Sequence, residues 1–399
     1  MNKICHVVQS YYPRDPRIRR QAEALAANGF LIDVYCLRAT GERAKEVVNG
    51  VHINRLPLCR KRGSGLRYTF EYLAFFMMVF IALTMKCWKR YDVIHVSNLP
   101  DFLVYSALVP KLLGTKVLLD EHDPMPELFM SKYGVDEGSR VIRFLKRQQA
   151  CSLRFADHVL TVNAAMRKLI EPSASPVPVS VVMNLPDDKL FKPIEKLQNT
   201  NHDGQFSMLY TGTVSKTYGL SMVVDAVANL KDNIPGLRLR IVGEGDDLPA
   251  LRRQANELGI SDRVDFSGVV PFDHIPTLIS ESDIGISTLK LDTLTQLCFN
   301  NKTAEYTAMG LPSVVTRTLP VESHFPEGIV RFYEPGSQES FEQAIVDLYE
   351  NPEIRAEMSR KGIEFSKTAN WSTEKIKYIE LITRLCGNSF EKSDCCSKV

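Results

Sequence analysis

The stretch CFNNKTAEYTAMGLPSVVT places Asn301 at the start of a helix-like run, with Lys302 and Glu305 three residues apart. A spacing of three brings two side chains onto one helix face. A lysine beside a helix N-terminus is suited to neutralise phosphate, and a carboxylate one turn on can accept hydrogen bonds from vicinal ribose hydroxyls. The same spacing also makes an ordinary ion pair, so it leaves both possibilities open. Two further loops offer backbone chemistry. In YTGTVSKTYGL, Gly212 and Gly219 bracket Thr213 and Lys216 ahead of a helix starting near Leu220, an arrangement of free amides that suits a diphosphate. In GEGDDLPA, Gly243 and Gly245 suggest a dinucleotide cradle, yet the third glycine is missing and Asp246 and Asp247 would repel a pyrophosphate. A tight turn beside the ligand fits that loop better.

The first half of the chain carries a different chemistry. LLDEHDPMPEL gathers Asp120, Glu121, His122, Asp123 and Glu127 in what the pattern predicts to be one loop after a strand. There His122 could hydrogen-bond a ligand hydroxyl or polarise a leaving group, although a lone histidine is more often structural. YYPRDPRIRRQAEAL sets Asp15 and Arg17 at a helix start, with Arg14, Arg19 and Arg20 nearby, and arginines suit phosphate recognition as well as plain surface.

Positioning such groups requires a scaffold that brings loops together. Short apolar runs alternate with helical stretches from the first residues onward: KICHVVQ, FLIDVYCL, YDVIHVS, TKVLLDEHD and HVLTV in the first half, then FSMLYTGTV, LRLRIVGEG, RVDFSGVV, SDIGIST and LPSVVT. That alternation predicts parallel, doubly wound sheets, in which ligands bind beyond the carboxyl ends of the strands. At 399 residues the chain exceeds one ordinary core. The polar stretch after Asn184 divides it: a Rossmann-like domain over 1–190, a linker over 191–205, a second Rossmann-like domain over 206–370, a helix over 371–386 that could cross back to the first domain, and a disordered tail over 387–399. The expected fold class is α/β, two Rossmann-like domains facing a cleft.

Hydrophobic residues make up 44% and charged residues 24%, which excludes a disordered chain, and a formal net charge of +2 gives no global field for nucleic acid. Nine scattered cysteines show no C-x-x-C spacing, so no metal site is expected and reduced thiols in the cytoplasm are the simplest account. One segment breaks the soluble pattern. Leu73 to Met85 (LAFFMMVFIALTM) is uncharged and too short to span a bilayer, with Arg60, Lys61, Arg62 and Arg67 upstream and Lys86, Lys89 and Arg90 downstream. It suits an interfacial helix on anionic lipid through residues 60–90, or equally a buried helix beside a basic loop.

Taken together, YYPRDPRIRRQAEALAANGFLIDVYCLR, YDVIHVSNLPD, LLDEHDPMPEL, GTVSKTYGLSMVVDAV, LRLRIVGEGDDLPAL, VDFSGVVP and NKTAEYTAMGLPSVVT resemble, in order and spacing, the retaining GT-B-fold glycosyltransferases of family 4, the glycosyl transferases group 1, and within them the bacterial surface-polysaccharide members. The resemblance covers about residues 3 to 385. It implies transfer of a sugar from a UDP- or GDP-sugar to an acceptor hydroxyl with retention, without a metal or other cofactor. It further implies that Lys302 binds the donor diphosphate, Glu305 the ribose, the backbone at Val269 and Val270 the base, and His122 the transferred sugar. Acceptor contacts fall to the first domain, with Asp15, Arg17 and Asp123 as candidates and a lipid-linked saccharide as the acceptor suited to the apolar helix. Three positions depart from the family pattern. The first glutamate of its E-x7-E pair falls at Leu297, and its donor-loop arginine and lysine fall at Thr213 and Tyr218. Competing accounts are a sugar-nucleotide epimerase of the same fold, a non-catalytic sugar-nucleotide-binding partner subunit, and an NAD-dependent oxidoreductase, the last weakened by the incomplete glycine fingerprint.

Overall fold

The computed structural model describes residues 1–59, 65–86, 90–193 and 204–387. The expected linker falls mostly, and the expected tail almost wholly, outside the described residues, as do Arg60, Lys61, Arg62 and Lys89. The chain divides into two compact units: unit 1 is Met1–Asn184 together with the segment from Glu374 onward, and unit 2 is Leu185–Thr373.

Unit 1 is built on eight strands: β1 (Lys3–Tyr11), β2 (Leu31–Leu37), β3 (Lys45–Val48), β4 (Val51–Leu56), β5 (Val93–Ser97), β6 (Lys116–Asp120), β7 (His158–Thr161) and β8 (Val179–Val181). Their order is β3-β4-β2-β1-β5-β6-β7-β8. All neighbours are parallel except β3 and β4, a hairpin absent from the sequence expectation. Its signal was present: Asn49-Gly50 is the two-residue turn in which both residues take positive φ, here 50° and 77°. The core gathers the β-branched and leucine side chains of β1, β5, β6 and β7, among them Val7, Ile94, Val96, Val117, Leu119 and Val159. Each such side chain contributes about 1.5–3 kcal/mol on full burial.

The apolar segment at 73–85 is the second part of a longer helix, Gly65–Met85. Phe75, Val79 and Leu83 are buried in the unit 1 core, whereas Phe70, Leu73, Met77, Ile81 and Met85 are exposed. At 3.6 residues per turn the exposed five fall within an arc of about 120°, opposite the buried three. One face is therefore a core face and the other an uncovered apolar stripe. Among the described residues, no helix is long and apolar enough to cross a membrane.

Unit 2 holds β9 (Phe206–Thr211), β10 (Leu237–Val242), β11 (Val264–Gly268), β12 (Ile284–Ser287), β13 (Ser313–Thr316) and β14 (Arg331–Tyr333), all parallel, in the order β11-β10-β9-β12-β13-β14. Strand β14 was not anticipated, since RFY is too short to read as a strand against helical neighbours. The helix Trp371–Leu385 belongs to unit 1 from Glu374: the Glu374 carboxylate accepts from the Met183 N–H at 2.8 Å, and the Tyr378 hydroxyl pairs with His95 Nδ1 at 2.9 Å. The other edge of the crossing lies within unit 2, where the Trp371 N–H donates to the Pro186 carbonyl and the Ser372 hydroxyl to Asp188.

Candidate functional site

In unit 1 the carboxyl ends of the neighbouring strands β1, β5 and β6 present the polar groups. Asn98, just past β5, holds the loop that follows β6. Its Oδ1 accepts from the backbone N–H groups of His122 and Asp123 at 3.2 and 3.4 Å, and its Nδ2 donates to the Asp123 carbonyl at 2.8 Å and to Asp101 at 3.3 Å. The His122 ring stands with Nδ1 3.6 Å from Asp120 Oδ1 and Nε2 3.7 Å from Asp123 Oδ2. Behind Asp120 lies a buried column. His95 Nε2 is 3.8 Å from Asp120 Oδ2, the His6 ring stacks on His95 with centroids 4.1 Å apart, and His6 Nε2 is 3.0 Å from Ser97 Oγ.

Burial decides the charges in this column. It drives His6 well below the usual imidazole value and His95 to about 4, so both are neutral in ordinary conditions. Burial alone would raise Asp120, but His122, Arg17 and His95 outweigh it and hold that carboxyl well below the usual range. A second acidic group lies deeper. Asp101 is raised by burial to about 7, and Glu121 is raised by burial and by Asp101. Asp101 Oδ2 and Glu121 Oε2 are buried without hydrogen-bond partners.

These facts correct the expected loop. Asp120 is the last residue of β6, and the Glu121 carboxylate turns inward to accept from Gln149 Nε2 at 2.8 Å. Glu127 is buried on the helix Met125–Tyr133. Only His122, partly exposed, and Asp123 remain reachable from that set. Asp15 is engaged as a helix cap, its carboxylate accepting from the N–H groups of Arg17 and Ile18 at 3.2 and 3.4 Å, with the Arg17 guanidinium 3.9 Å away. Local sequence missed His6, His95 and Asn98, although a histidine in the middle of an apolar strand run is itself a sign of a partnered polar group.

In unit 2 the loops beyond β9, β10 and β11 continue the sheet ladder. Gly212 N–H donates to the Val242 carbonyl, Val214 N–H to Glu244 and Gly243 N–H to Gly268, at 2.8–2.9 Å. Gly243 is required there: its φ is +143°, and a Cβ would collide with the Gly212 carbonyl. GEGDD is thus a turn pressed backbone to backbone against the loop after β9.

The helix Asn301–Ala308 is anchored at three points. Tyr306 crosses Gly285, which has no side chain to obstruct it, and its hydroxyl accepts from the Thr211 N–H at 3.0 Å. Ser287 on β12 receives Asn300 Nδ2 at 3.1 Å and the Thr303 hydroxyl at 2.7 Å. Lys302, only 8% exposed, then lies with its ammonium 4.5 Å from the centre of the Tyr210 ring and 4.3 Å from that of Tyr218. A Cβ on Gly212 would sit 3.3 Å from Lys302 Cε and 3.5 Å from Nζ. Burial lowers the Lys302 ammonium to about 8, opposed by Glu305 one turn on.

Gly212, Gly243 and Lys302 are thus brought together, with the Thr213 carbonyl accepting from the Tyr210 hydroxyl at 2.7 Å. Glu305 is half-buried one turn further along the helix, and Asn301 is exposed at its start. Val269 is exposed beyond β11, while Val270 packs against the cluster around Phe191. Lys216 lines a cavity of about 570 Å³ with Lys290, Asp225 and Asp247. Among the described residues no cluster of three or more metal-ligating side chains occurs.

The family profile described as glycosyl transferase 4-like domain matches residues 15–184, and that described as glycosyl transferases group 1 matches 205–351. The lipopolysaccharide core biosynthesis glycosyltransferase LpsE of Rhizobium meliloti is 27% identical over 172 residues, 41% of this chain and 46% of that protein. The chain spans about half the length of the curated relatives it matches. Among solved structures, a sucrose-phosphate synthase from Thermosynechococcus elongatus superposes with a TM-score of 0.79 at 19% identity, over 97% of this chain and 100% of that one. Anabaena HepE in complex with UDP-glucose gives 0.71 at 16% identity, over 96% and 100%. At such identities the structures speak for the fold. The two profiles cover most of both units, the sheets of the two units are those of the GT-B fold, and the chain belongs to the family 4 glycosyltransferases, the glycosyl transferases group 1.

Proposed function

We propose that this protein moves a sugar from a nucleoside diphosphate sugar, a UDP- or GDP-sugar, to an acceptor hydroxyl with retained anomeric configuration. One observation carries the proposal: a buried, positively charged Lys302 at the start of a helix, held against the side-chain-free Gly212, is a site that asks for an anion. A diphosphate seated on the Gly212 and Thr213 loop would meet that ammonium, with Lys216 adding charge, Glu305 taking the ribose hydroxyls, and the backbone at Val269 and Val270 taking the base. HepE, whose structure holds UDP-glucose, supports the choice of ligand class. LpsE, a lipopolysaccharide core enzyme, supports a place in surface-polysaccharide synthesis.

Retention follows from front-side substitution. The bond from the anomeric carbon to the β-phosphate oxygen breaks as the acceptor oxygen bonds to that carbon on the same face, and the acceptor proton passes to the departing phosphate oxygen. No metal is required: Lys302 and the helix N-terminus stabilise the leaving charge, and His122 orients the transferred sugar. Asp15, Arg17 and Asp123 lie on the acceptor side. The exposed stripe of the helix Gly65–Met85, flanked by Arg67 and Arg90, fits a lipid-linked saccharide acceptor and peripheral contact with the cytoplasmic face of a membrane.

Calorimetric titration with UDP, GDP, ADP, NAD and a panel of UDP- and GDP-sugars tests this. A nucleoside diphosphate should bind wild type and fail to bind Glu305→Ala. Binding of NAD alone, or of none of these, would sink the proposal. Binding of a nucleoside diphosphate without transfer or donor hydrolysis would point to a sugar-nucleotide-binding partner subunit.

A further inference from the structure

We propose that Tyr218, together with Tyr210, is a positioning residue for the donor diphosphate: the two rings form an aromatic cradle that keeps the Lys302 ammonium charged and directed at Gly212. This rests on the donor site proposed above and goes beyond it, because neither tyrosine touches the nucleotide in that scheme.

The geometry is that of a corner. The two rings stand 62° apart with centroids separated by 6.1 Å, and the ammonium lies within 4.5 Å of both centres. Each ring presents the negative face of its quadrupole to a cation at that range. Tyr210 is locked in the core of unit 2, and its hydroxyl donates to the Thr213 carbonyl at 2.7 Å, so one ring is fixed to the loop that would carry the diphosphate. Tyr218 closes the short turn Lys216–Tyr218, and its carbonyl receives the Thr288 hydroxyl at 2.6 Å. Gly212 lies on a further side, where a Cβ would stand 3.3 Å from Lys302 Cε.

Chemistry explains the choice of aromatic partners. A carboxylate against a buried ammonium would cancel its charge and would have to be displaced by each incoming phosphate. Ring faces offset part of the cost of burying the cation and leave its full charge for a ligand. The charged group facing Lys302 from its own helix is Glu305, one turn away, and the Tyr210 phenol stays neutral because burial raises it. At position 218, where the family pattern carries a lysine, this chain supplies a ring that steadies the lysine it has.

The test compares full-length wild type, Tyr218→Phe and Tyr218→Leu by two readouts. The first is the titration midpoint of Lys302 in ligand-free protein, followed by NMR of 13C-labelled lysine; the second is UDP affinity by calorimetry. Phenylalanine keeps the ring face and should stay within about twofold of wild type in affinity. Leucine should weaken UDP roughly 3- to 30-fold and shift the Lys302 midpoint to lower pH. A leucine variant that matches wild type in both readouts overturns the cradle while leaving the donor site standing. Failure of wild type to bind UDP or GDP overturns the donor site itself, and the diphosphate role of the tyrosines with it.

Discussion

His122 Nδ1 lies 3.6 Å from Asp120 Oδ1, and Asp120, only 1% exposed, is the one carboxylate in its buried column that its surroundings hold ionised. A buried anion that close biases the orientation of the imidazole electrostatically. Asp120→Asn preserves size but removes the charge. It should lower kcat on the order of 10- to 100-fold while leaving nucleoside diphosphate affinity near wild type, as steady-state kinetics and calorimetry would read. An unchanged kcat would show that the Asp120 charge plays no part in orienting His122.

The role proposed for Lys302 conflicts with stability. Its ammonium titrates at about 8 in the folded protein, against 10.5 for an ordinary lysine. Between those pH values the unfolded chain binds the extra proton, so the stability contribution of this group rises as pH climbs from 8 to 10.5 and its full cost is present at neutral pH. Lys302→Met should therefore raise stability at pH 7 by an amount on the order of 1–3 kcal/mol, with the gain shrinking toward pH 10.5, and should abolish donor binding. Wild-type affinity for UDP should likewise fall as pH passes 8. Denaturant melts at pH 7 and 10 check the first part, and a pH series of titrations the second.

The Asp101–Glu121 pair runs the other way. Asp101 is raised from 3.8 to about 7, so between those values the folded state keeps a proton that the unfolded state has released. Stability from Asp101 is present at acid pH and lost as pH rises through about 7. Asp101→Asn retains an acceptor for Asn98 and should flatten that slope, raising the thermal midpoint at pH 8 but not at pH 4. A variant destabilised at pH 8 would show that the carboxylate is needed in its charged form.

The uncovered stripe of the helix Gly65–Met85 predicts vesicle binding. Replacing Leu73, Met77 and Ile81 with serine leaves Phe75, Val79 and Leu83 in the core untouched. The triple variant should keep its melting behaviour and lose sedimentation with vesicles containing anionic lipid, and wild-type binding should weaken at high salt. Undiminished binding by the variant would place the contact elsewhere.

The strands that order the sheets were legible wherever an apolar run ended in a glycine or an acidic loop, as in FSMLYTGTV and TKVLLDEHD. What stayed hidden depended on distance along the chain. His95 meets Tyr378 across 283 positions, and no local pattern in YDVIHVS announces a hydroxyl that arrives so late. Tyr218 could be seen as a departure from the family pattern, but its partner Lys302 lies far along the chain, so its purpose was not visible. The helix Gly65–Met85 was seen only in part, because Arg67 and Glu71 interrupt the apolar run without interrupting the helix, where they pair at i,i+4.

Unit 1 is completed by residues that follow the whole of unit 2. Domains commonly fold in the order in which a ribosome delivers them. Here the order is broken. The eight strands of unit 1 emerge before unit 2, yet the helix that covers His95 and receives the Met183 N–H is translated after it. Nascent chains arrested just before Glu374 should accordingly yield a protease-resistant unit 2 and a protease-sensitive unit 1, so that the half made first is the half that matures second.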